Sequence, residues 1–412
     1  MRVLILTHRL PYAPDRGDRL RAHHLLRYLR ERAEVELVSL VHDDDEASHL
    51  GEMRELIPAT TALTVPKWRT RLNAVRALAT HTPLTHALLD APRMTSVLNQ
   101  ICERRRPDVV LAYCSGMARF AMRAPLQDIP VVLDFVDVDS QKWRDLAPAS
   151  TPPLSWIYRR EAATLGAFEA RAALRAATAL VVNAREAGIA NALAPGANVQ
   201  VLANGVELDR LKPLTLPSPA PRVVFCGVMN YAPNDEGMTW FVRDVWPLVR
   251  AARPDATLAV VGPDPKPAFQ ATCGRDASIT VTGRVADVRE WLWNSGVGIA
   301  PLHVARGVQN KALEAIAAGL PIVITSAVAG GLPAEAMPAS RVANTPHAFA
   351  EEVLQLLQRS PSDRRAIAAS ADLSALTWPR TLEPLCSILE RAASSREPRL
   401  QTALAHVAWR ST

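Results

Sequence analysis

The chain lacks any hydrophobic run long enough to cross a bilayer, for no stretch approaches the ~18 to 20 apolar residues that a spanning helix needs. The opening MRVLILTHRLP turns polar early and reads as a strand, not a secretory leader. Cysteine is scarce: Cys102, Cys114, Cys226, Cys273 and Cys386 lie far apart with no C-x-x-C pair. That pattern argues against a disulfide framework and a zinc cage, and fits reduced thiols in the cytoplasm. Lysine is scarce too. Of 47 basic residues only Lys67, Lys142, Lys212, Lys266 and Lys311 are lysines, so a retained lysine hints at a need. The net charge of +6 is spread over both halves, which gives little case for a nucleic-acid partner. There is no G-x-G-x-x-G fingerprint.

What is present is the material of a globular α/β protein. The 412 residues are 49% hydrophobic and 21% charged, enough for two or three domains at about 150 residues each. Apolar, β-branched runs alternate with helical patterns. Val3 to Thr7, Val35 to Val41, Ala62 to Val65, Asp108 to Tyr113, Pro130 to Phe135, Ala179 to Val182 and Val199 to Leu202 read as strands of a first βα series. A second series has strands at Arg222 to Cys226, Ala256 to Val261, Ser278 to Val281, Val297 to Ala300 and Leu320 to Thr325. Between them, Leu211 to Pro221 carries four prolines and no periodicity, as a linker would. The expected fold is two doubly wound parallel-sheet domains facing across a cleft. Residues 1–212 form the first and 213–377 the second, with a last helix at 378–393 packing back on the first and a tail at 394–412.

The second series ends in RGVQNKALEAIAAGLP, Arg306 to Pro321. Its apolar spacing predicts a helix over 309–318 that stops at Gly319 and Pro321. Arg306, Gly307, Gln309, Asn310 and Lys311 open it. Cations at a helix N-terminus oppose the dipole unless an anion arrives, so this turn reads as a phosphate site. Lys311 is expected to be exposed there. Glu314 shares a face with Lys311 and suits sugar hydroxyls, although it could simply pair with the lysine.

Other strand ends supply further candidates. The loop after the first strand contains Gly17, which would let a phosphate or sugar approach the backbone, and a helix begins near Asp18. Val136-Asp137-Val138-Asp139-Ser140 follows another strand. Asp137 is the site candidate there, metal binding being the weaker role for D-x-D, and Asp139 or Ser140 could cap the next helix. The segment Lys67-Trp68-Arg69-Thr70-Arg71-Leu72 interleaves cations with apolar residues. It suits an anionic membrane surface, or is an ordinary amphipathic helix with Trp68 in the core.

Four segments of the second half carry a family likeness: Asn204-Gly205-Val206, FCGVMNYAPNDEG (Phe225 to Gly237), VTGRVADVR (Val281 to Arg289) and RGVQNKALEAIAAGLPIVIT. With them the chain resembles the GT-B glycosyltransferases of the large retaining group called family 4. RGDRLRAHHLLRYL and DFVDVDSQKW are similar to a subgroup of sugar transferases found with exosortase and PEP-CTERM exopolysaccharide systems. The resemblance implies that Glu314 is the second glutamate of the E-x7-E motif and holds the donor ribose. The first glutamate falls at position 306, where this chain has Arg306, and the familiar R-x4-K pair is replaced by MNYAPNDEG. Lys311 then becomes the replacement cation. Arg306, Lys311 and Asp137 are implied as catalytic. Gly17, Gly227, Asn230, Gly283, Arg284, Val285, Gly307, Val308 and Glu314 are implied to bind the donor.

The activity implied is transfer of a sugar from a nucleotide-diphosphate donor to a hydroxyl acceptor with retention, without cofactor or metal. Saccharide or lipid-linked acceptors in exopolysaccharide or glycan assembly fit, made in the cytoplasm with peripheral contact to the inner membrane. The alternatives are a degenerate nucleotide-sugar-binding partner protein, motivated by Arg306, and a GT-B sugar-nucleotide epimerase.

Overall fold

The computed structural model describes residues 1–12, 17–148, 150–214, 218–305 and 308–395. The chain divides into two compact units. One comprises residues 1–203 together with the chain from Leu382 onwards, and the other is Asn204–Thr381.

The first unit is built on seven parallel strands: β1 (Arg2–Thr7), β2 (Glu34–Val41), β3 (Thr60–Thr64), β4 (Val109–Tyr113), β5 (Val131–Val136), β6 (Thr178–Val181) and β7 (Val199–Val201). They lie in the order β3-β2-β1-β4-β5-β6-β7. β1 and β4 are buried at every position, which is why they read as unbroken apolar runs and not as alternating ones. The order reverses between β1 and β4, where Val3 faces Val109 and Ile5 faces Leu111 in register. At such a reversal the helices leave to opposite faces and a crevice opens beyond the carboxyl ends of the strands.

The second unit repeats the scheme with β8 (Arg222–Cys226), β9 (Thr257–Val261), β10 (Ile279–Gly283), β11 (Val297–Ala300), β12 (Ile322–Ile324) and β13 (Ser340–Val342). Their order is β10-β9-β8-β11-β12-β13, all parallel, with the reversal between β8 and β11. The edge strand β13 is absent from the sequence reading. Three residues, one of them the half-buried Arg341, make too short a pattern to stand out from a loop.

The helices used below are α1 (Gly17–Leu29), α2 (Lys67–Leu78), α3 (Leu84–Leu88), α4 (Asp139–Leu146), α5 (Leu154–Arg175), α6 (Leu208–Leu211), α7 (Ala232–Trp240), α8 (Asn310–Ala317) and α9 (Pro384–Ser394). The end of α8 is set by Gly319, whose φ of +82° admits glycine at little cost. Its N–H bonds back to Ile316 O and that of Leu320 to Ala315 O, which turns the chain directly into β12. α9 packs against β4 and β5, burying Leu385, Ile388, Leu389 and Ala392 in the first unit. Within the second unit, Val206 bridges Thr377 and donates its N–H to Leu376 O, so the Asn204-Gly205-Val206 turn is fixed to the unit's last residues. The described residues of the proline-bearing stretch, Pro213 and Pro219 to Pro221 among them, belong to this unit.

Candidate functional site

At the carboxyl ends of β8, β9, β10 and β11 the second unit carries most of the residues expected to hold a donor. β8 ends in Phe225 and Cys226, and Gly227 opens the loop to α7. The peptide of Gly262, beyond β9, crosses that loop so closely that a Cβ at Gly262, where φ is +150°, would stand 1.9 Å from Gly227 O. A Cβ at Gly227 itself would stand 3.0 Å from both Asn234 Nδ2 and the Phe225 ring. The crossing therefore requires glycine at 262, whereas a side chain at 227 would press on Asn234 and Phe225.

The loop is fixed by side chains as well. Asn234, buried in the first turn of α7, donates Nδ2–H to Val228 O at 2.8 Å. Its Oδ1 accepts from the Lys311 ammonium at 2.8 Å. Asn230 donates to Asp264 Oδ2 at 3.0 Å, and Met229 N–H to Pro263 O at 2.9 Å, joining the same loop to the one after β9.

Lys311 occupies the first turn of α8. Its ammonium also donates to Gln309 Oε1 at 3.1 Å and lies 5.4 Å from the centre of the Phe225 ring. The sequence reading expected this side chain to be exposed; the structure corrects that. Loss of hydration is the chief influence on the ammonium and pulls its pKa from 10.5 down to about 8, against the opposing attraction of Glu314. Among the described residues no carboxylate forms a salt bridge with Lys311, and its hydrogen bonds go to amide oxygens. Glu314 is half-buried and its carboxyl is pushed up by burial, an effect reduced by Lys311 and Arg210. Arg210 stands on α6, which packs against α8. The thiol of Cys226 is held far above its ordinary range by burial and by the Glu314 charge.

Among the described residues, the Gln309 side chain at the cap position of α8 makes no capping hydrogen bond, and no acidic residue lies in the first turn. The positive end of the helix dipole and a partly desolvated ammonium thus share one spot. The Asn310 side-chain oxygen, at the first position of α8, is buried without a hydrogen-bond partner, so it is open to a hydroxyl or N–H donor. The chemistry on offer is an anion site with hydroxyl-binding groups one turn along.

The remaining expected residues fall as follows. Gly283 ends β10 with φ of +68°, and its carbonyl accepts from Gly262 N–H at 3.2 Å, so the VTGRVADVR loop abuts the glycine crossing. Arg284 is exposed, and Val285 and Val308 pack partly against the core of the unit. Arg306 and Gly307 lie outside the described residues. Gly17 and Asp137 belong to the first unit, Gly17 as the first residue of α1.

Asp137 sits in a heavily braced loop. Val136 has φ of +65°, an outlier for a β-branched residue. Buried carboxyl groups hold alternate N–H groups around it: Asp134 accepts from Val136, Glu186 from Val138 and Glu169 from Ser140. Asp134 also pairs with the Arg21 guanidinium of α1 at 2.8 Å, both side chains being fully buried. Glu169 is pushed up to about 8, first by burial and then by the Asp139 charge. Neither Asp139 nor Ser140 caps α4, whose cap position is Val138; Asp139 Oδ2 accepts instead from the Ser115 hydroxyl at 3.2 Å. Among the described residues no three His, Cys, Asp or Glu side chains assemble as a metal site.

Asn234 was missed by sequence reasoning. It lies inside the FCGVMNYAPNDEG segment, but its partner is 77 residues away, and no local spacing signals such a bond.

Residues 220–359, all within the second unit, match the family model described as glycosyl transferases group 1. No curated protein matches the sequence. Solved structures do match in fold. HepE of Anabaena, in complex with UDP-glucose, has a TM-score of 0.66 at 14% identity over 95% of this chain and 100% of that chain. α,α-Trehalose 6-phosphate synthase of Burkholderia multivorans has 0.62 at 13%, over 96% and 100%. WaaG, a glycosyltransferase involved in lipopolysaccharide biosynthesis, has 0.61 at 17%, over 93% and 99%. The fold is therefore GT-B: two Rossmann-like α/β domains with wholly parallel sheets.

Proposed function

We propose that the protein is a GT-B glycosyltransferase that takes a sugar from a UDP-sugar donor and transfers it to a hydroxyl acceptor. The observation that carries this reading is the Lys311 ammonium, held by Asn234 at the uncapped, positive end of α8. The match of residues 220–359 to glycosyl transferases group 1 supports it, and UDP as the nucleotide is taken from the complex of HepE with UDP-glucose.

In the reaction the bond from C1 of the sugar to the β-phosphate oxygen breaks, and C1 bonds to the acceptor oxygen. The acceptor proton passes to the leaving diphosphate. Negative charge grows on that diphosphate while the sugar becomes oxocarbenium-like. Lys311 and the helix dipole face the growing charge, and one contact of this kind is worth about 3 kcal/mol of barrier. Arg306 adds a second cation. Glu314 and Asn310 Oδ1 take hydroxyl groups of the donor, while Gly227, Asn230, Gly283, Arg284, Val285, Gly307 and Val308 shape the rest of its site. Gly17 and Asp137 belong to the first unit, and roles for them toward donor and acceptor rest on the family likeness alone. Retention and independence of metal follow from the family 4 likeness of the four segments named above. An acceptor in exopolysaccharide or lipid-linked glycan assembly rests on the likeness of RGDRLRAHHLLRYL and DFVDVDSQKW alone.

A second reading, donor binding without turnover, is favoured by Arg306 standing where the family carries a glutamate. Incubation with UDP-sugars separates the two. Release of UDP with transfer of the sugar to an added hydroxyl acceptor, the anomer of the glycoside read by NMR, supports transfer, and its strong loss in Lys311→Ala supports the site. A thermal shift with UDP but no UDP release from any donor favours the second reading. Full activity in Lys311→Ala would refute the assignment of the anion site.

A further inference from the structure

We infer that the first unit carries a docking surface for an anionic lipid bilayer, built from α2 and the start of α5. This inference is independent of the chemistry proposed above, and its failure leaves the donor site untouched.

On α2, Trp68, Leu72 and Val75 follow one another at helical spacing on one face, and they are 72%, 44% and 67% exposed. The structure thus rules out the alternative in which Trp68 fills the core. Leu78 extends the exposed apolar surface to the end of the helix. A second exposed tryptophan comes from a distant part of the sequence: Trp156, 64% exposed, at the start of α5 beside the exposed Leu154.

Hydrogen bonds tie these two places together. Arg160, one turn after Trp156 on the same face of α5, donates to the carbonyls of Ala77, Thr80 and Thr82 at the end of α2. The Glu161 carboxylate accepts the N–H groups of Leu84 and Thr85, which open α3. The tryptophan of α5 is therefore anchored next to the helix that carries the first one.

Charge identifies the occupant. Residues 56–89 and 146–160 contain no aspartate or glutamate. Arg71, Arg76 and Arg159 are exposed among the apolar side chains, and Arg69 is half exposed beside Asp90 at 3.5 Å. A protein partner for so large an exposed apolar surface would need an acidic rim. An anionic headgroup layer supplies that charge everywhere, and the interfacial zone below it takes indole rings and aliphatic side chains. No described helix is long and apolar enough to cross the bilayer, so the contact lies on its surface.

The test is flotation of the full chain with phosphatidylglycerol–phosphatidylcholine vesicles and with pure phosphatidylcholine vesicles. Binding is expected to the first only and to weaken as salt is added. Arg71→Gln/Arg76→Gln/Arg159→Gln should lower partitioning roughly a hundredfold, since each cation at an anionic surface contributes about fivefold. Trp68→Ala/Trp156→Ala should lower it at least about tenfold. Both variants change exposed side chains, and unchanged thermal melts establish that they fold. Equal binding to both vesicle types, no binding, or full binding by the tryptophan variant overturns the inference. So does lipid-free dimerisation that the tryptophan variant abolishes, which would make a second copy the occupant.

Discussion

Replacing Lys311 by methionine should change how stability depends on pH, because the folded protein holds this ammonium at a cost. The drop of its pKa from 10.5 to about 8 corresponds to roughly 3 kcal/mol. Its sign follows from proton counts. Between about pH 8 and pH 10.5 the unfolded chain keeps the Lys311 proton while the folded protein has released it, so stability rises with pH across that window. Below about pH 8 both states are protonated and the penalty is constant. Wild type should gain up to about 3 kcal/mol relative to Lys311→Met as pH climbs from 8 to 10.5. Titrating groups that Lys311 does not influence are common to both proteins and cancel in the difference, leaving Lys311 with its neighbours Glu314 and Cys226. Urea denaturation of the two proteins over this range measures it. A bound diphosphate reverses the penalty by supplying the missing counter-charge, so UDP should bind the protonated form and lose affinity about tenfold per pH unit above pH 8. Parallel stability curves for the two proteins would refute the desolvation argument. UDP affinity that stays flat through pH 8 would refute the role of the ammonium in the site.

Gly227→Ala places a methyl group 3.0 Å from Asn234 Nδ2 and the Phe225 ring; it should cost about 1–3 kcal/mol in thermal unfolding and weaken UDP binding through displacement of Asn234, and an unchanged melting curve would count against the crossing. Asp134→Ala removes one fully buried partner of Arg21 together with the acceptor of Val136 N–H and should destabilise by about 3–5 kcal/mol in urea, a loss below 1 kcal/mol showing the pair to be dispensable. Glu169, pushed up to about 8, keeps a proton in the folded protein that the unfolded chain gives up above about pH 4.5, so its contribution falls as pH rises from there through 8. Glu169→Gln should flatten that part of the stability profile, and an identical profile would reject the assignment. Glu314→Ala should weaken UDP-sugar binding with little change in melting temperature, judged by calorimetric titration; equal affinity would remove Glu314 from the donor site.

Much of the fold was legible because parallel strands buried on both faces are written as short apolar runs, and Arg222–Cys226 and Val297–Ala300 are read to the residue. β13 was not, since a three-residue edge strand has no period to detect. Charges were harder to read than strands. Glu46, in the acidic run Asp43 to Glu46, is fully buried and accepts from Leu10 N–H and His42 N–H while Asp43 caps the helix Asp44–Ser48, and nothing in the run itself marks which carboxylate goes inside. Lys311 stands out in the sequence as one of few lysines, but its environment comes from Phe225 and Asn234, which local sequence does not bring near it. Trp68 was undecided for the opposite reason: an apolar stripe is the same pattern whether it faces a core or a membrane, and only accessibility tells them apart.

The return of α9 to β4 and β5 has a consequence for synthesis. The ribosome finishes β1 to β7 early, yet their covering helix emerges only after all of residues 204–381 have been made. The unit begun first is completed last, and its apolar β4–β5 face needs shelter in the meantime. A chain cut after Ala203 should therefore collect as aggregate, whereas residues 204–381, one uninterrupted piece, form the part suited to expression on its own.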